Sequence, residues 1–121
     1  MPAACTHYLK HRDTRPGLVA TLYDADGSVY DLTGVDAVWL HVSIQGVTFT
    51  RQMTVDASPT TGRVTYLWLA TDWTSNPALE VGVHLIEYEV QGPGAVRATF
   101  PNRNQVGYQH ALEVGADIGQ A

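Results

Sequence analysis

The sequence has few of the features that crosslink, anchor or strongly charge a protein. It has one cysteine, Cys5, among 121 residues, so an internal disulfide is excluded and the fold must be held by packing. Hydrophobic residues make up 45% of the chain, but they occur in short bursts, which argues against a transmembrane helix. The first ten residues lack a basic start followed by an apolar stretch, so we expect no secretory signal.

Charge is also scarce, and positive charge is the scarcer sign. Charged residues make up 16% of the chain, and seven Lys and Arg against twelve Asp and Glu give a net charge of −5. The basic residues are scattered, whereas a nucleic-acid surface needs them clustered to displace counterions from phosphates. We therefore expect no direct binding of DNA or RNA and no membrane partner. A weakly charged surface with aromatic side chains favours contact with other proteins.

What the sequence does contain is a repeated alternation of apolar and polar residues. The clearest example covers residues 37–44, where every second residue is a large aliphatic one. Turn signals separate such segments about every eight to twelve residues, and the one exception is a possible helical turn over residues 72–75, capped by Thr71. The pattern predicts an all-β, Ig-like antiparallel β-sandwich of about seven to eight strands with one short helical turn.

The same alternation predicts the limits of the domain and its core. A chain of this length is one domain. We expect the sandwich over residues 16–114, an N-terminal arm over residues 1–15 and a C-terminal tail over residues 115–121, with arm and tail ordered only against a partner. Arg51 shares the inward parity of its strand, which predicts a bulge or the rim of the sheet there. The predicted core residues are Leu40, Val42, Tyr66, Ile86, Tyr88 and Leu112, and Trp68 is expected in the core or half-buried at its edge.

Residue types that bind metals occur, but each group is incomplete. Cys5, His7 and His11 form one such group, in which His7 and His11 would share a face if the arm were helical, yet a fourth ligand is missing. The acidic turn residues lack the spacing of a calcium-binding loop, and turn formation accounts for them. We therefore expect no metal and no cofactor. The acidic turn residues are Asp24, Asp26 and Asp31.

Candidate catalytic groups are also poorly placed. His41 and Ser43 lie two positions apart on one strand, which separates their side chains and points them in parallel, unlike a nucleophile and its base. Glu87 and Glu89 point the same way, whereas the two acids of a glycosidase face each other across the scissile bond. The sequence therefore predicts that the protein is not an enzyme.

Aromatic side chains are better candidates, as anchors of a protein interface. Trp39 and His41 lie on the strand face opposite the apolar row, unless a second sheet covers them. Trp73 lies in the predicted helical turn, where it either reaches a partner or packs under its own loop. Tyr8 and Leu9 could attach the arm to a groove or a sheet edge of a partner. These five residues are our interface candidates.

Four short signatures follow one another in a fixed order. They are Asp31-Leu32-Thr33-Gly34, Gly-Arg-Val-Thr-Tyr-Leu-Trp at residues 62–68, Glu-Tyr-Glu-Val at residues 87–90 and Thr-Phe-Pro-Asn at residues 99–102. Over residues 16–114, their order and separation resemble the N-terminal domain of the phage upper-baseplate protein family. The resemblance implies a small β-sandwich that fixes one virion component to another.

The expected function is therefore that of a non-enzymatic attachment module in the tail or baseplate of a tailed phage. The resemblance implies that its partners are other virion proteins and copies of itself in a symmetric assembly. Its expected location is the virion, assembled in the host cytoplasm.

Two other functions fit the same residues. In the resembling family a receptor-binding region lies further along the chain, and this sequence has no counterpart of it. A capsid decoration protein or a head-fibre anchor is therefore one alternative. The other, from a different class, is a carbohydrate-binding β-sandwich in which Trp39, Trp73 and Tyr108 supply stacking faces for a glycan.

Overall fold

The computed structural model describes residues 5–24, 26–100 and 110–115, which form an all-β protein. Two short 3-10 turns, Pro59–Thr61 and Ala70–Trp73, are the only helical segments in these ranges. Nowhere in them is there a helix with the length and apolar character to cross a bilayer. The eight strands are β1 Cys5–Lys10, β2 Leu18–Thr21, β3 Ala37–Ile44, β4 Val47–Val55, β5 Arg63–Tyr66, β6 Gly82–Gln91, β7 Arg97–Phe100 and β8 His110–Gly115.

The strands form one sheet that is nearly closed, like a barrel. Its order is β1-β8-β6-β3-β4-β5-β2, and β7 pairs with β6. Because β4 pairs with both β3 and β5, it joins the two halves of the sheet. The all-β prediction is confirmed, but a sandwich of two separate sheets is not. The sheet is also not wholly antiparallel, since β1 and β8 run parallel.

The hairpin of β3 and β4 is the best-predicted part of the fold. Its two-residue loop, Gln45 and Gly46, has φ angles of 50° and 81°, the positive values that a type I′ turn requires. Ile44 and Val47 are paired directly across it. The apolar row of β3 is buried, as are Phe49 and Met53 on β4. The hairpin therefore places one face of both strands in the core and the other outside.

A single apolar cluster fills the space that the sheet encloses. All six core residues predicted from the sequence are buried within it, and Trp68 is buried there too. Tyr88 and Phe100, from β6 and β7, are among its largest fully buried side chains. Burying a large side chain of this kind stabilises the fold by about 1.5–3 kcal/mol.

The N-terminal segment is not an arm, which corrects the sequence prediction. Cys5–Lys10 is strand β1, paired along its length with β8, and Leu9 is 3% exposed within the core. Histidine and threonine in this short strand hide the alternation that would have revealed it. The predicted tail lies outside the described residues from residue 116 onward, and Tyr108 lies outside them too.

A buried ion pair fixes the segment between β5 and β6. Asp72, which has no exposed surface, accepts hydrogen bonds from Arg51 Nε at 2.9 Å and from the Tyr66 hydroxyl at 2.8 Å. It also accepts one from the backbone N–H of Leu69 at 2.9 Å. The 3-10 turn therefore starts after Leu69, and the predicted cap by Thr71 is wrong. Arg51 lies opposite Leu40 in an unbroken register, so the strand has no bulge there. The inward position of Arg51 instead allows its side chain to pair with Asp72.

Candidate protein-binding face

The outward side of β1, β8, β6, β3, β4 and β7 is the outer face of the sheet, and its centre is polar. His41 on β3 approaches Glu89 on β6, with Nε2 and Oε1 2.8 Å apart, and its Nδ1 lies 2.9 Å from Thr50 Oγ1. On the other side, Arg97 Nε donates to Glu89 Oε2 at 2.9 Å. Four strands, β3, β4, β6 and β7, therefore contribute side chains to one continuous contact around Glu89.

Trp39 joins this contact through its ring nitrogen. Its Nε1 donates to Gln91 Oε1 at 3.0 Å, and the Gln91 amide lies 3.4 Å from Glu89 Oε2. The tryptophan is half-buried, because strand neighbours on the same face flank its ring. We call the connected side chains the outer polar network. Its members are Trp39, His41, Thr50, Glu89, Gln91 and Arg97.

Electrostatics favour the charged form of Glu89. The hydrogen bond from His41 is the largest cause that holds the pKa of Glu89 below its ordinary value, with partial burial opposing it and Arg97 adding to it. The side chain of Glu89 is 12% exposed, whereas that of Arg97 is 68% exposed. The network therefore presents a fixed carboxylate at its base and a solvated guanidinium at its rim.

Beside the network, the outer face becomes apolar. Tyr8 on β1 and Val83 on β6 are both paired with Glu113 on β8, so the three side chains form one row across the strands. Leu85, two residues further along β6, lies in the next row, opposite Ala111. Tyr8 is 66% exposed, Val83 65% and Leu85 52%. We call Tyr8, Val83 and Leu85 the apolar patch.

The predicted interface residues fall into three groups. Tyr8 belongs to the apolar patch, and Trp39 and His41 belong to the outer polar network. Leu9 points into the core and cannot anchor a partner, which corrects that prediction. Trp73 is half-buried against the core and packs edge-on against His11, with ring centroids 5.0 Å apart. The structure thus brings three of the five candidates to one face.

Trp73 resolves the alternative that the sequence left open. Its Nε1 donates to the backbone carbonyl of Asp13 at 3.2 Å, so its polar atom is used within the chain. The residue packs under its own segment, against the chain that leads from β1 to β2. These contacts favour the packed alternative over the anchor, and a partner contact by the exposed part of the half-buried ring stays a prediction.

The structure does not assemble the metal group considered in the sequence. His11 packs on Trp73, whereas His7 lies near His110 and Tyr88 on the inner side of the sheet. Within the described residues, no three side chains of His, Cys, Asp or Glu converge to hold a metal ion. Asp31 accepts hydrogen bonds from the backbone N–H and the hydroxyl of Thr33 within its turn. Both bonds lower the pKa of Asp31, and the bond from the hydroxyl is the larger cause.

Sequence reasoning missed two of the three residues of the apolar patch. The signal was present: counting back by twos from Glu89 and Glu87 places Leu85 and Val83 on the same outward face. Their apolar character suggested burial, yet β6 buries its other row, which includes His84 and Ile86. An aliphatic residue at an outward position of a strand was therefore the overlooked indication.

Comparison with known proteins adds no identification, because no family model and no curated protein matches the sequence.

Proposed function

We propose that this protein is a non-enzymatic attachment protein of a tailed-phage particle and that it binds its partner through the outer face of the sheet. The single observation that carries the proposal is the apolar patch. Its three large side chains are each more than half exposed and held by a sheet, with Val83 and Leu85 as neighbours on β6 and Tyr8 on the other side of Glu113 from Val83. Large exposed apolar side chains grouped on a rigid surface are typical of sites that another protein covers.

The outer polar network extends the same face in a way that suits an interface. Protein interfaces combine an apolar centre with a hydrogen-bonding rim. Trp39 and Arg97 belong to the residue types that contribute most to such interfaces. His41 and Glu89 are already hydrogen-bonded to each other, so covering them leaves no buried polar atom of that pair without a partner.

The phage assignment rests on the resemblance of the four ordered signatures to the upper-baseplate family. One of them contributes Glu89 to the outer polar network, and Thr99 of another is paired with Glu89 across β6 and β7. Under this proposal the partners are other virion proteins and further copies of the chain, and the location is the virion. A decoration or fibre-anchoring role on the capsid uses the same surface and differs only in the partner.

The observed geometry gives no support to the carbohydrate-binding alternative. That reading needs Trp39 and Trp73 to offer stacking planes to one ligand. Trp39 is on the outer face, whereas Trp73 packs against the core on the inner side. Tyr108 lies outside the described residues.

Incorporation into particles tests the proposal. A phage that carries the gene is deleted for it and complemented with wild-type protein or with Leu85→Lys, and purified particles are probed with an antibody. We expect wild-type protein in the particles and a loss of at least tenfold for Leu85→Lys, because a charge in an apolar interface is costly to desolvate. Val19→Lys, at an exposed valine of β2, is the matched control. Absence of the wild-type protein from particles, or normal incorporation of Leu85→Lys, would contradict the proposal.

A further inference from the structure

A carboxylate divides the apolar patch. Glu113 on β8 lies between Tyr8 on β1 and Val83 on β6, because it is paired with both of them. Its side chain is exposed on the same outward face. Neighbouring strands lie about 4.8 Å apart, so Tyr8 and Val83 are separated by roughly 10 Å with the glutamate in the middle. A partner that covers both apolar side chains therefore covers Glu113 as well.

A second carboxylate borders the patch on β6. Glu87 is exposed and lies two residues beyond Leu85, on the same face of the strand. Among the described residues, neither Glu87 nor Glu113 takes part in an ion pair, whereas Glu89 is paired with both His41 and Arg97. Within this part of the chain, only solvent therefore satisfies the two carboxylates at the patch.

A partner that covers the patch has to replace that solvent. Removing water from a carboxylate is costly unless an opposite charge or hydrogen-bond donors take its place. A wholly apolar partner would leave the Glu113 carboxylate without either, between Tyr8 and Val83. A lysine or arginine at this position makes a charge-assisted hydrogen bond instead. Charge complementarity therefore favours a positive group on the partner, opposite Glu113.

The outer face itself has too few cations for a second copy to supply these groups. Its described outward positions hold the carboxylates of Glu87, Glu89 and Glu113 but only the cations of Lys10 and Arg97. Arg97 already pairs with Glu89. A second copy that docked by the same face could thus offer Lys10 to one of the other two carboxylates but not to both. Each copy also has a net charge of −5, so two copies repel each other at long range.

We propose that the outer face binds a protein other than this chain, through a surface that combines apolar side chains for the apolar patch with lysine or arginine side chains for Glu113 and Glu87. The inference rests on the function proposed above and names the chemistry of its partner. The two carboxylates also fix how the partner is oriented, since one cation must lie between Tyr8 and Val83 and the other beyond Leu85.

Replacement of Glu113 by leucine separates a basic partner from an apolar one. Glu113→Leu joins Tyr8 and Val83 into one continuous apolar row, so an apolar partner would bind it as well as it binds wild type, or better. A basic partner instead loses its carboxylate. We therefore expect incorporation into particles, measured by complementation of the gene deletion as above, to fall by about tenfold or more.

Two further variants complete this experiment. Glu113→Gln keeps the shape of the side chain and removes the charge, so its incorporation should fall as well. Asp36→Leu removes an exposed carboxylate before β3, away from the patch, and should be incorporated like wild type. Urea unfolding of each variant shows that it is folded, and Glu113→Gln keeps the test decisive if Glu113→Leu does not fold.

Sedimentation equilibrium of the purified protein tests a second copy as the occupant. Wild type and Leu85→Lys should have the same average mass, because copies of the chain do not meet through this face. Association of wild type that Leu85→Lys abolishes would overturn the inference.

The particle assay distinguishes failure of this inference from failure of the proposed function. If wild type is incorporated, Leu85→Lys is lost and folded Glu113→Leu is retained, the face binds a partner that is not basic, and only the inference is overturned. If wild type is absent from particles or Leu85→Lys is incorporated normally, the proposed function fails and the inference fails with it. Loss of Leu85→Lys, Glu113→Leu and Glu113→Gln together, with Asp36→Leu retained, supports both.

Discussion

The protein holds two carboxylates in nearly identical hydrogen bonds but in opposite surroundings. Asp72 meets Arg51 Nε at 2.9 Å inside the fold, and Glu89 meets Arg97 Nε at the same distance on the outer face. Asp72 has no exposed surface, whereas the Glu89 side chain is 12% exposed and its arginine partner is highly exposed. Distance alone therefore does not distinguish the two pairs, and their roles depend on where water can replace a partner.

Water cannot compensate for a lost partner at Asp72. Its three donors come from β4, β5 and the backbone before the 3-10 turn, so the carboxylate ties these segments together. Arg51 is supported further by the ring of Phe49, with its Cζ 4.0 Å from the centroid, a cation–π arrangement. At Glu89, solvent and a neighbouring protein can both replace a partner. The inner pair therefore stabilises the fold, and the outer network is free to change partners.

The largest effect is expected from removing the inner carboxylate charge. Asp72→Asn leaves Arg51 partly buried without its counter-ion, and the loss of one partner of a buried pair costs about 3–5 kcal/mol. We expect a loss of stability at the lower end of this range, about 3 kcal/mol, because 29% of the Arg51 side chain is exposed to solvent. The midpoint and slope of urea unfolding measure the change. Glu89→Gln is the control, and an equal loss of stability in both variants would contradict the distinction between the two pairs.

A smaller effect is expected from removing one donor to the same carboxylate. Tyr66→Phe deletes the hydroxyl that donates to Asp72 at 2.8 Å and leaves the ring in the core. The loss should be about 1.5–3 kcal/mol, the range for a hydrogen bond to a charged group. Urea unfolding of the single variants and of the double variant Tyr66→Phe/Asp72→Asn measures it. If the two losses simply add, the hydroxyl does not act through Asp72.

Tyr66 also makes the stability of the fold depend on pH. Burial raises the pKa of Tyr66, and the hydrogen bond to Asp72 and its charge raise it further. An acid with a raised pKa in the fold releases its proton more readily when unfolded, so its contribution to stability is lost as the pH rises above about 10. Unfolding midpoints between pH 8 and pH 11 should fall more steeply for wild type than for Tyr66→Phe. Parallel curves would be the contrary result.

The sequence predicted the hairpin and the core because these parts obey one local rule. In β3 each large aliphatic residue occupies an inward position, so the period of two and the burial agree. The ion pair of Arg51 and Asp72 could not be found in this way, since it joins residues 21 positions apart. Only the inward parity of Arg51 hinted at it. A partner for an inward arginine is chosen by the tertiary fold.

The first strand and the outer face illustrate the same limit. β1 is short, and its inward positions include His7, whose polar partners come from β6 and β8. The sequence of β1 therefore shows no alternation of apolar and polar residues. Its partner strand is also distant in the sequence, since His7 and His110 are 103 positions apart. Tyr8 was found as an interface candidate, although it was assigned to an arm. Whether the outer face binds a virion protein remains a prediction.

At the outer polar network, stability should also depend on pH, but through a carboxyl group whose pKa is lowered in the fold, whereas that of Tyr66 is raised. The effect should appear only at acidic pH. The fold lowers the pKa of Glu89 from its ordinary value of 4.5. The contribution of Glu89 to stability is therefore present above the unfolded pKa and is lost as the pH falls through the lower folded pKa. Unfolding midpoints of wild type should therefore approach those of Glu89→Gln below pH 4.5. A Glu89→Gln difference that vanishes already near pH 6 would assign the effect to another group.

The smallest effect on stability is expected from Arg97→Ala, at the rim of the outer network. The arginine side chain is 68% exposed, so solvent screens its attraction to Glu89 and the side chain regains entropy when it is released. Its urea midpoint should equal that of wild type within error. The same holds for Arg63→Ala, since the Arg63 side chain is 53% exposed and lies 3.5 Å from Asp56.

The two variants should differ in their incorporation into particles. Under the proposed function, Arg97→Ala weakens attachment because the arginine borders the binding face, whereas Arg63→Ala, on β5, does not. Equal incorporation of both variants would remove Arg97 from the interface, and a large loss of stability in Arg97→Ala would show that the outer network supports the fold in the way that Asp72 does.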